Sequence, residues 1–404
     1  MLGEIAEVQT GPFGSQLHMS DYKLKGTPII TVEHLGENKI IHNDLPLVGD
    51  DDKQRLIKYT LKEGDIVFSR VGSVDRRVYV SINEDGWMFS GRCLRVRADK
   101  KKVNSKFLSY YFGQEVFKET LRRIAVGATM PSINTTILSE VEVCIPEISY
   151  QIEIASVLSS LDDKIDLLHR QNKTLEQLVE TLFREKLTVN NKKWEMKSFG
   201  GYLLSTLGGE WGKEKPEGDF TFQVCCIRGT DIADLQTGLA YRTPIRFVKE
   251  KKFASVQPNE GDLILEISGG TDDQSTGRII YINKLNRALF THPLIFSNFC
   301  RLIRPKKKEF SYFLYLYLQY LYNQDEFFNL ENGTSGIKNL DYKYLLFELN
   351  FLLPKNEIEL IAFNKEVEIY FEKINKNKHQ IFTLTRLRDT LLPKLMSRDI
   401  QINN

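Results

Sequence analysis

The pattern of apolar and polar positions changes from strand-like to helical along the chain, and it does so twice in the same order. Short β-branched or aromatic runs, separated by Gly, Pro, Asn and Asp, come first and predict strands. These runs are 29–32, 66–68, 78–80 and 141–143, and then 222–227, 263–265, 279–282 and 349–353. A helix is predicted within each stretch, over 106–121 and 312–328. The chain is therefore predicted to be α+β.

A long helical periodicity follows each strand-rich stretch, over roughly 150–187 and 356–397. Apolar residues recur there at alternating steps of four and three, as in a coiled-coil seam. Because both helices belong to one polypeptide and have seams of equal length, we expect them to pair within the chain; a coiled coil between two chains is the alternative. The predicted seam consists of Leu158, Leu161, Ile165, Leu168, Asn172, Leu175, Leu182, Val367, Tyr370, Ile374, Ile381, Leu384 and Leu391.

The two halves also share residues. Glu63-Gly64-Asp65-Ile66 returns as Glu260-Gly261-Asp262-Leu263, and Leu2-Gly3 returns as Phe199-Gly200. Self-similarity at this spacing is typical of a duplicated domain. A duplicated chain presents two similar surfaces, either to two similar partners or to two stretches of one long partner.

Composition and the absence of known catalytic motifs narrow the range of functions expected for this chain. The chain has 404 residues and a net charge of only +2, so a nucleic-acid surface would have to be a local patch. Five cysteines form no even framework, which fits a reducing cytoplasm, and no signal peptide or bilayer-spanning stretch is expected. We find no phosphate-binding glycine motif, nucleophile elbow or metal-ligand spacing of histidines. The chain itself is therefore predicted to be non-catalytic, without a metal.

Three glycine-containing polar loops recur in register in the two halves and are the candidate binding sites. Glycine lets backbone approach a phosphate, Arg can read guanine, and Asn or Gln can read adenine. Ordinary solvent-exposed loops are the alternative interpretation. The candidate DNA-binding residues are Ser15, Gln16, Arg70, Ser73, Arg76, Arg77, Thr129, Asn134, Trp211, Lys213, Lys215, Thr271, Gln274, Ser275, Arg278, Ser335 and Lys338.

Several segments together resemble one known family. They are 2–8 (Leu-Gly-Glu-Ile-Ala-Glu-Val), 227–232 (Ile-Arg-Gly-Thr-Asp-Ile), the two Glu-Gly-Asp turns, Pro146 with Gln151, and 387–395 (Leu-Arg-Asp-Thr-Leu-Leu-Pro-Lys-Leu). On these residues the chain resembles the specificity (S) subunit of type I restriction-modification systems, over essentially its whole length.

The resemblance implies two similar α/β target recognition domains, 1–145 and 191–353. A central spacer helix at 146–190 and a C-terminal one at 354–404 would pack as an antiparallel coiled coil in a pseudo-twofold internal repeat. The chain would read a bipartite site in double-stranded DNA. It would bind two adenine-N6 methyltransferase subunits and, through them, two restriction and translocation subunits. S-adenosylmethionine and ATP would bind those partners only, so this chain would carry no cofactor.

Because the candidate loops differ between the halves, we expect the two half-sites to differ. Three alternatives stay open: the specificity subunit of a related fused or two-subunit restriction system, a coiled-coil adaptor that binds protein without DNA, and a DNA-processing enzyme with an unrecognised active site.

Overall fold

The computed structural model describes residues 1–189, 193–240, 242–333 and 337–400. The chain divides into two units: unit 1 is Met1–Asp162 with Leu387–Asn404, and unit 2 is Asp163–Arg386. Each long helix begins in one unit and ends in the other. Within the described ranges, no helix combines the length and apolarity needed to cross a bilayer.

Unit 1 is built on two sheets with short helices beside them. Its strands are β1 (Ala6–Thr10), β2 (Tyr22–Lys23), β3 (Thr27–Ile30), β4 (Leu47–Val48), β5 (Ile66–Ser69), β6 (Arg77–Tyr79), β7 (Met88–Phe89) and β8 (Cys93–Ala98). Its short helices are α1 (Asp50–Arg55), α2 (Ser105–Tyr111), α3 (Glu115–Ile124) and α4 (Thr135–Ser139). One sheet has the order β1-β8-β5-β6, and the other has the order β2-β4-β3-β7. Strand β5 is buried along its whole length because it lies inside its sheet.

Unit 2 repeats this plan with additions. Its strands are β9 (Trp194–Lys197), β10 (Leu203–Gly208), β11 (Phe222–Ile227), β12 (Ile245–Val248), β13 (Leu263–Glu266), β14 (Ser268–Gly269), β15 (Ile279–Tyr281), β16 (Leu294–Phe296), β17 (Cys300–Pro305), β18 (Glu331–Asn332), β19 (Lys338–Leu340) and β20 (Phe351–Pro354). Its helices are α6 (Asp231–Thr237), α7 (Glu250–Val256), α8 (Lys284–Arg287) and α9 (Ser311–Asn323). The sheet order β10-β17-β13-β15 matches β1-β8-β5-β6 strand for strand.

The same buried ion pair supports this sheet in both units. The Arg97 guanidinium donates to Asp65 at 2.7 Å from both Nε and Nη2, and Arg304 donates to Asp262 from the same two nitrogens at 3.0 and 2.6 Å. Each aspartate ends a Glu-Gly-Asp turn whose glycine has a φ of +93° or +97°, a conformation that favours glycine. The repeat predicted from the sequence is therefore confirmed in the fold, and the α+β class with it.

Some predicted elements differ from the observed ones. The run 141–143 is not a strand: Val141 is buried, but its carbonyl accepts from the Leu2 backbone instead of a ladder partner. The helix predicted over 106–121 is two helices, because the chain turns at Gly113. A Cβ there would lie 2.3 Å from Nη2 of Arg77. The helix predicted over 312–328 ends at Asn323, and a 3-10 turn (Glu326–Leu330) follows.

The long helices are α5 (Ile148–Val189, 42 residues) and α10 (Glu357–Met396, 40 residues). In unit 2, Asn377 Nδ2 donates to Asn172 Oδ1 at 2.9 Å, and Lys186 lies 3.2 Å from Glu366. The residue number rises along α5 while that of the partner on α10 falls, so the two helices pack antiparallel. In unit 1, Arg388 of α10 pairs with Asp162 of α5 at 2.8 Å. The helices therefore pair within the chain, as the matched seams predicted.

Within the predicted seam, burial is strongest at Leu158, Ile165, Leu168, Asn172, Val367, Ile374 and Ile381. The remaining positions are half-buried: Leu161, Leu175, Leu182, Tyr370, Leu384 and Leu391. The stripe drifts because an α-helix does not keep a strict seven-residue period. Phe183 is fully buried beside half-buried Leu182, and Phe371 beside half-buried Tyr370. Both phenylalanines pack into the core of unit 2, although neither is a seam position of the heptad pattern.

Candidate nucleic-acid interface

In unit 1 the backbone brings two of the predicted loops together. The loop 70–76 leaves β5, and its Val71 forms a bridge with Ser132 at the base of the 126–132 turn. The Gly72 amide also donates to the Pro131 carbonyl at 2.8 Å. Ser73 and Thr129, at the outer parts of these two loops, are exposed. The two loops therefore form one continuous surface in this unit, which also exposes Val126 and Met130.

Arg70 lies at the start of that surface. Its Nη1 is 3.4 Å from Thr10 Oγ1 and 3.5 Å from the Gly91 carbonyl, and its guanidinium lies 5.5 Å from the ring centre of the exposed Phe13. Ser15 is exposed, two residues beyond Phe13. The contacts of Arg70 are long and partial, so its donors remain accessible to a ligand.

Other predicted residues of unit 1 already have structural partners. Gln16 is half-buried and its Oε1 accepts from the Tyr59 hydroxyl at 2.9 Å, while Asn134 Oδ1 caps helix α4 by accepting from the Ile137 amide at 2.8 Å. The exposed Arg76 donates to the Leu35 carbonyl. These bonds hold the loops and use part of each side chain.

Arg77 is a correction to the sequence-based set. Although it follows Arg76 directly, it lies in β6 with only 5% of its surface exposed, and its Nε donates to the Ser109 carbonyl at 2.9 Å. Burial lowers its pKa to about 10. Side chains alternate between the faces of a strand, so the neighbour of an exposed arginine points inward. The folded unit does not offer Arg77 to a ligand.

In unit 2 the corresponding loops line a cleft. Its walls are Trp211, Arg228, Gly229, Thr230, Glu266, Ser268, Gly269, Gly270, Thr271, Gln274, Arg278 and Phe299. Four of these are predicted residues: Trp211, Thr271, Gln274 and Arg278. Gln274 Nε2 donates to the Tyr322 hydroxyl at 3.2 Å, and the Arg246 guanidinium stacks 4.0 Å from the Trp211 ring centre. The cleft combines backbone-exposing glycines, hydroxyls, an amide, arginines and aromatic rings.

Two arginines of the cleft are held by carboxylates. Arg278 donates from Nε to Glu266 Oε2 at 2.8 Å and from Nη2 to Oε1 at 2.5 Å. Arg228 donates from Nη2 to Asp231 Oδ1 at 2.7 Å, with Nε at 3.1 and 3.2 Å from the two oxygens. Hydrogen bonding to these carboxylates raises the pKa of both arginines, so both stay charged.

The remaining predicted residues of unit 2 lie outside this lining. Lys213 and Lys215 are exposed, and Lys213 lies 3.4 Å from Glu217. Lys338 is half-buried and donates to the Thr271 carbonyl at 2.8 Å, which ties β19 to the cleft wall. Ser275 is a second correction, since it is buried with only 3% exposed. Ser335 lies outside the described residues.

The sequence-based candidate set missed Arg228, Glu266 and Phe299 of the cleft lining, and also Asp231, which holds Arg228. A signal existed for Glu266, because a carboxylate that ends the apolar strand Leu263-Ile264-Leu265 needs a partner once the strand is buried. Phe299 is 54% exposed at the cleft, a position that periodicity does not reveal. No cluster of metal-ligating side chains occurs among the residues whose placement is described.

Comparison with known proteins gives a consistent result. Residues 1–177 and 235–381 match the sequence model of the family described as "Type I restriction modification DNA specificity domain". The specificity subunit of type I restriction enzyme MjaIX from Methanocaldococcus jannaschii is 27% identical over 328 residues, which are 75% of this chain and 71% of that protein. The HindI specificity subunit from Haemophilus influenzae is 29% identical over 150 residues, 36% of this chain and 32% of that protein.

A solved structure shares the fold. The S subunit of a type I restriction-modification system from M. genitalium aligns with a TM-score of 0.58 at 17% identity, covering 100% of this chain and 96% of that chain.

Proposed function

The chain belongs to the specificity-subunit family of type I restriction-modification systems and is a DNA sequence-recognition subunit, and from that premise we propose that it reads a bipartite, asymmetric site in double-stranded DNA. Unit 1 reads one half-site with the surface formed by the 70–76 and 126–132 loops. Unit 2 reads the other with the cleft around Arg278.

One observation carries this proposal: the polar loops follow equivalent strands of two equivalent sheets. The 70–76 loop leaves β5, and the 268–277 loop leaves β13, which occupies the same place in its sheet. Equivalent loops on a duplicated scaffold suit two similar stretches of one long ligand, and a duplex is such a ligand.

The side chains at equivalent loop positions differ, which supports the asymmetry. Unit 1 presents Arg70, Ser73 and Thr129, while unit 2 presents Thr271, Gln274 and a carboxylate-bound arginine. Base edges in the major groove have distinct donor and acceptor patterns, so different side chains select different bases. We therefore propose that the two half-sites are not copies of each other.

The proposed partners follow the family. The chain would assemble with two S-adenosylmethionine-dependent adenine methyltransferase subunits, and with ATP-dependent restriction and translocation subunits through them. It would hold no cofactor and break no bond itself. The antiparallel pairing of α5 and α10 supports a further element: the two helices set the number of unspecified base pairs between the half-sites.

The test is co-expression with an adenine methyltransferase subunit of a type I system from the same genome, followed by genome-wide mapping of N6-methyladenine. We expect a motif of two unlike half-sites with a constant gap, absent when this chain is omitted. A self-complementary motif would contradict the asymmetry, and no motif at all would contradict the function. The matched control replaces Lys251, an exposed residue of α7 outside the cleft lining and the candidate set, by Ala, which should leave the motif unchanged.

A further inference from the structure

In the cleft of unit 2, Arg278 has one guanidinium edge whose N–H donors are not used by any described protein group. A planar guanidinium has five N–H donors, and a carboxylate bound along the Nε–Nη2 edge uses two of them. For Arg278, no acceptor for Nη1 occurs among the described residues, so both Nη1 hydrogens and one of Nη2 remain. For Arg228, Nη2 also donates to the Arg242 carbonyl at 3.3 Å, which interrupts that edge.

The carboxylate behind Arg278 holds its orientation firmly. Glu266 is 1% exposed, and its Oε2 also lies 3.5 and 3.4 Å from the Gly277 and Arg278 amides. Its surroundings are tight, because a Cβ on Gly229 would lie 2.3 Å from Oε1 and one on Gly269 would lie 2.7 Å from it. Neither the carboxylate nor the guanidinium can turn away without breaking the pair, so the free edge of Arg278 has a set direction in the cleft.

The equivalent positions of unit 1 lack this arrangement. The backbone amide of Glu266 donates to the Arg278 carbonyl, and the backbone amide of Ser69 donates to the Arg76 carbonyl in the same way. Ser69 of unit 1 is therefore structurally equivalent to Glu266 of unit 2. Ser69 Oγ donates instead to the Val71 carbonyl. The exposed Arg76 donates to the Leu35 carbonyl and forms no ion pair with a carboxylate among the described residues. At this strand end the carboxylate-held arginine occurs in unit 2 alone, whereas in unit 1 the loop carboxylate Asp75 holds the exposed Arg122 of α3.

A purely structural ion pair has a different signature. Arg97–Asp65 and Arg304–Asp262 occur at the same place in both sheets, as expected of a pair that the fold itself requires. Arg278–Glu266 occurs in unit 2 alone and lines the cleft. A paired charge that the common fold does not need points to the ligand of that cleft.

We propose that Arg278 reads a guanine in the half-site bound by unit 2, and that Glu266 is the residue that positions it. Guanine presents O6 and N7 as adjacent acceptors, which match two parallel N–H donors of one guanidinium edge. A fixed arginine loses less conformational entropy on binding than a free one. This inference rests on the proposed function, and it adds that this half-site contains at least one G·C pair read from the major groove.

The experiment uses the complex with the methyltransferase and the duplex motif found by methylation mapping. Each guanine of the two half-sites is replaced in turn by 7-deazaguanine, which lacks only the N7 acceptor. At one guanine we expect affinity to fall about 5- to 150-fold, because one donor of Arg278 loses its acceptor while the contact with O6 remains. In the Arg278→Met complex that penalty disappears because the donors are absent, and in the Glu266→Gln complex it shrinks because the guanidinium loses one of the two acceptors that orient it.

Arg304→Lys is the matched control, since it alters an arginine–carboxylate pair of the same unit outside the cleft. It should retain the full 7-deazaguanine penalty even if the protein melts at a lower temperature. Equal loss of affinity by Arg278→Met on cognate and scrambled duplexes, with a lower salt dependence, would make Arg278 a phosphate contact and overturn the proposal. The proposal would also be overturned if no 7-deazaguanine substitution in either half-site weakened DNA binding by the wild-type complex. That measurement does not depend on the folding of any variant. If the methylated motif is bipartite but either of these results is found, the proposed function stands and only the role of Arg278 is refuted. Loss of the motif itself would refute the proposed function.

Discussion

The buried asparagine pair between α5 and α10 offers the sharpest test of how the helices find their register. Asn172 is 5% exposed and Asn377 is fully buried, and the Asn377 amide donates to Asn172 at 2.9 Å. Asn377 Oδ1 has no hydrogen-bond partner among the described residues. A leucine at Asn377 therefore leaves the buried Asn172 amide without this partner, and a leucine at Asn172 leaves Asn377 with only a long 3.4 Å hydrogen bond to Gln171 Oε1. Leucines at both positions remove the two polar groups together.

The magnitudes follow from the burial. A buried amide hydrogen bond contributes about 1 kcal/mol net, and stranding its partner costs about 1–3 kcal/mol more. A newly buried leucine returns about 1.5–3 kcal/mol. Each single variant, Asn172→Leu or Asn377→Leu, should thus lose about 1 kcal/mol of unfolding free energy. The double variant should be at least as stable as wild type, which makes the coupling at least about 2 kcal/mol.

Urea unfolding of the full chain, followed by helical circular dichroism, measures the three variants. Hydrogen exchange of α5 and α10 amides shows whether the change is local. The control couples Asn172→Leu with Asn364→Leu, because Asn364 is buried on α10 but accepts from the Tyr312 amide. That pair should be additive. A coupling for Asn172 and Asn377 within about 0.5 kcal/mol of zero would refute the argument that the two amides act as one unit.

Four further outcomes are expected. Arg304→Met should lower the free energy of unfolding by about 2–3 kcal/mol, because it leaves the buried Asp262 carboxylate unpaired; an unchanged melting temperature would contradict this. Arg77→Met should destabilise unit 1 while leaving the salt dependence of DNA binding unchanged, as titrations at several salt concentrations would show. Arg70→Ala should cost about 1–3 kcal/mol in specific binding, with a smaller effect on scrambled duplexes. Seven residues inserted into both α5 and α10 add about 10 Å of helix and should lengthen the unspecified gap in the methylated motif, with unchanged half-site bases.

Much of the fold was readable from local patterns. The Glu-Gly-Asp turns, with their positive-φ glycines, mark equivalent strands in the two units, and both strands were predicted in place. The long helices were predicted within a few residues, because an apolar stripe of that length needs another helix to cover it. The break between Tyr111 and Glu115 was not predicted in this way, because apolar and aromatic residues recur at helical spacing on both sides of it.

The site was predicted less completely. Loop composition placed Trp211, Thr271, Gln274 and Arg278 among the candidate DNA-binding residues, and the structure brings these four together in one cleft. The same reasoning included Arg77 and Ser275, which are buried, and omitted Glu266. Whether the assigned residues contact DNA stays a prediction.

The amino-acid sequence by itself determined the duplication, the α+β class and the helical seams, because turn chemistry and hydrophobic periodicity are local properties of the chain. Only the tertiary structure decided which polar side chains are available. Arg76 and Arg77 are neighbours in sequence but lie on opposite faces of the chain, and Glu266 and Arg278 meet only because β13 and β15 pair. Hydrogen-bond partners and exposure are set by packing between distant segments, and no local pattern records them.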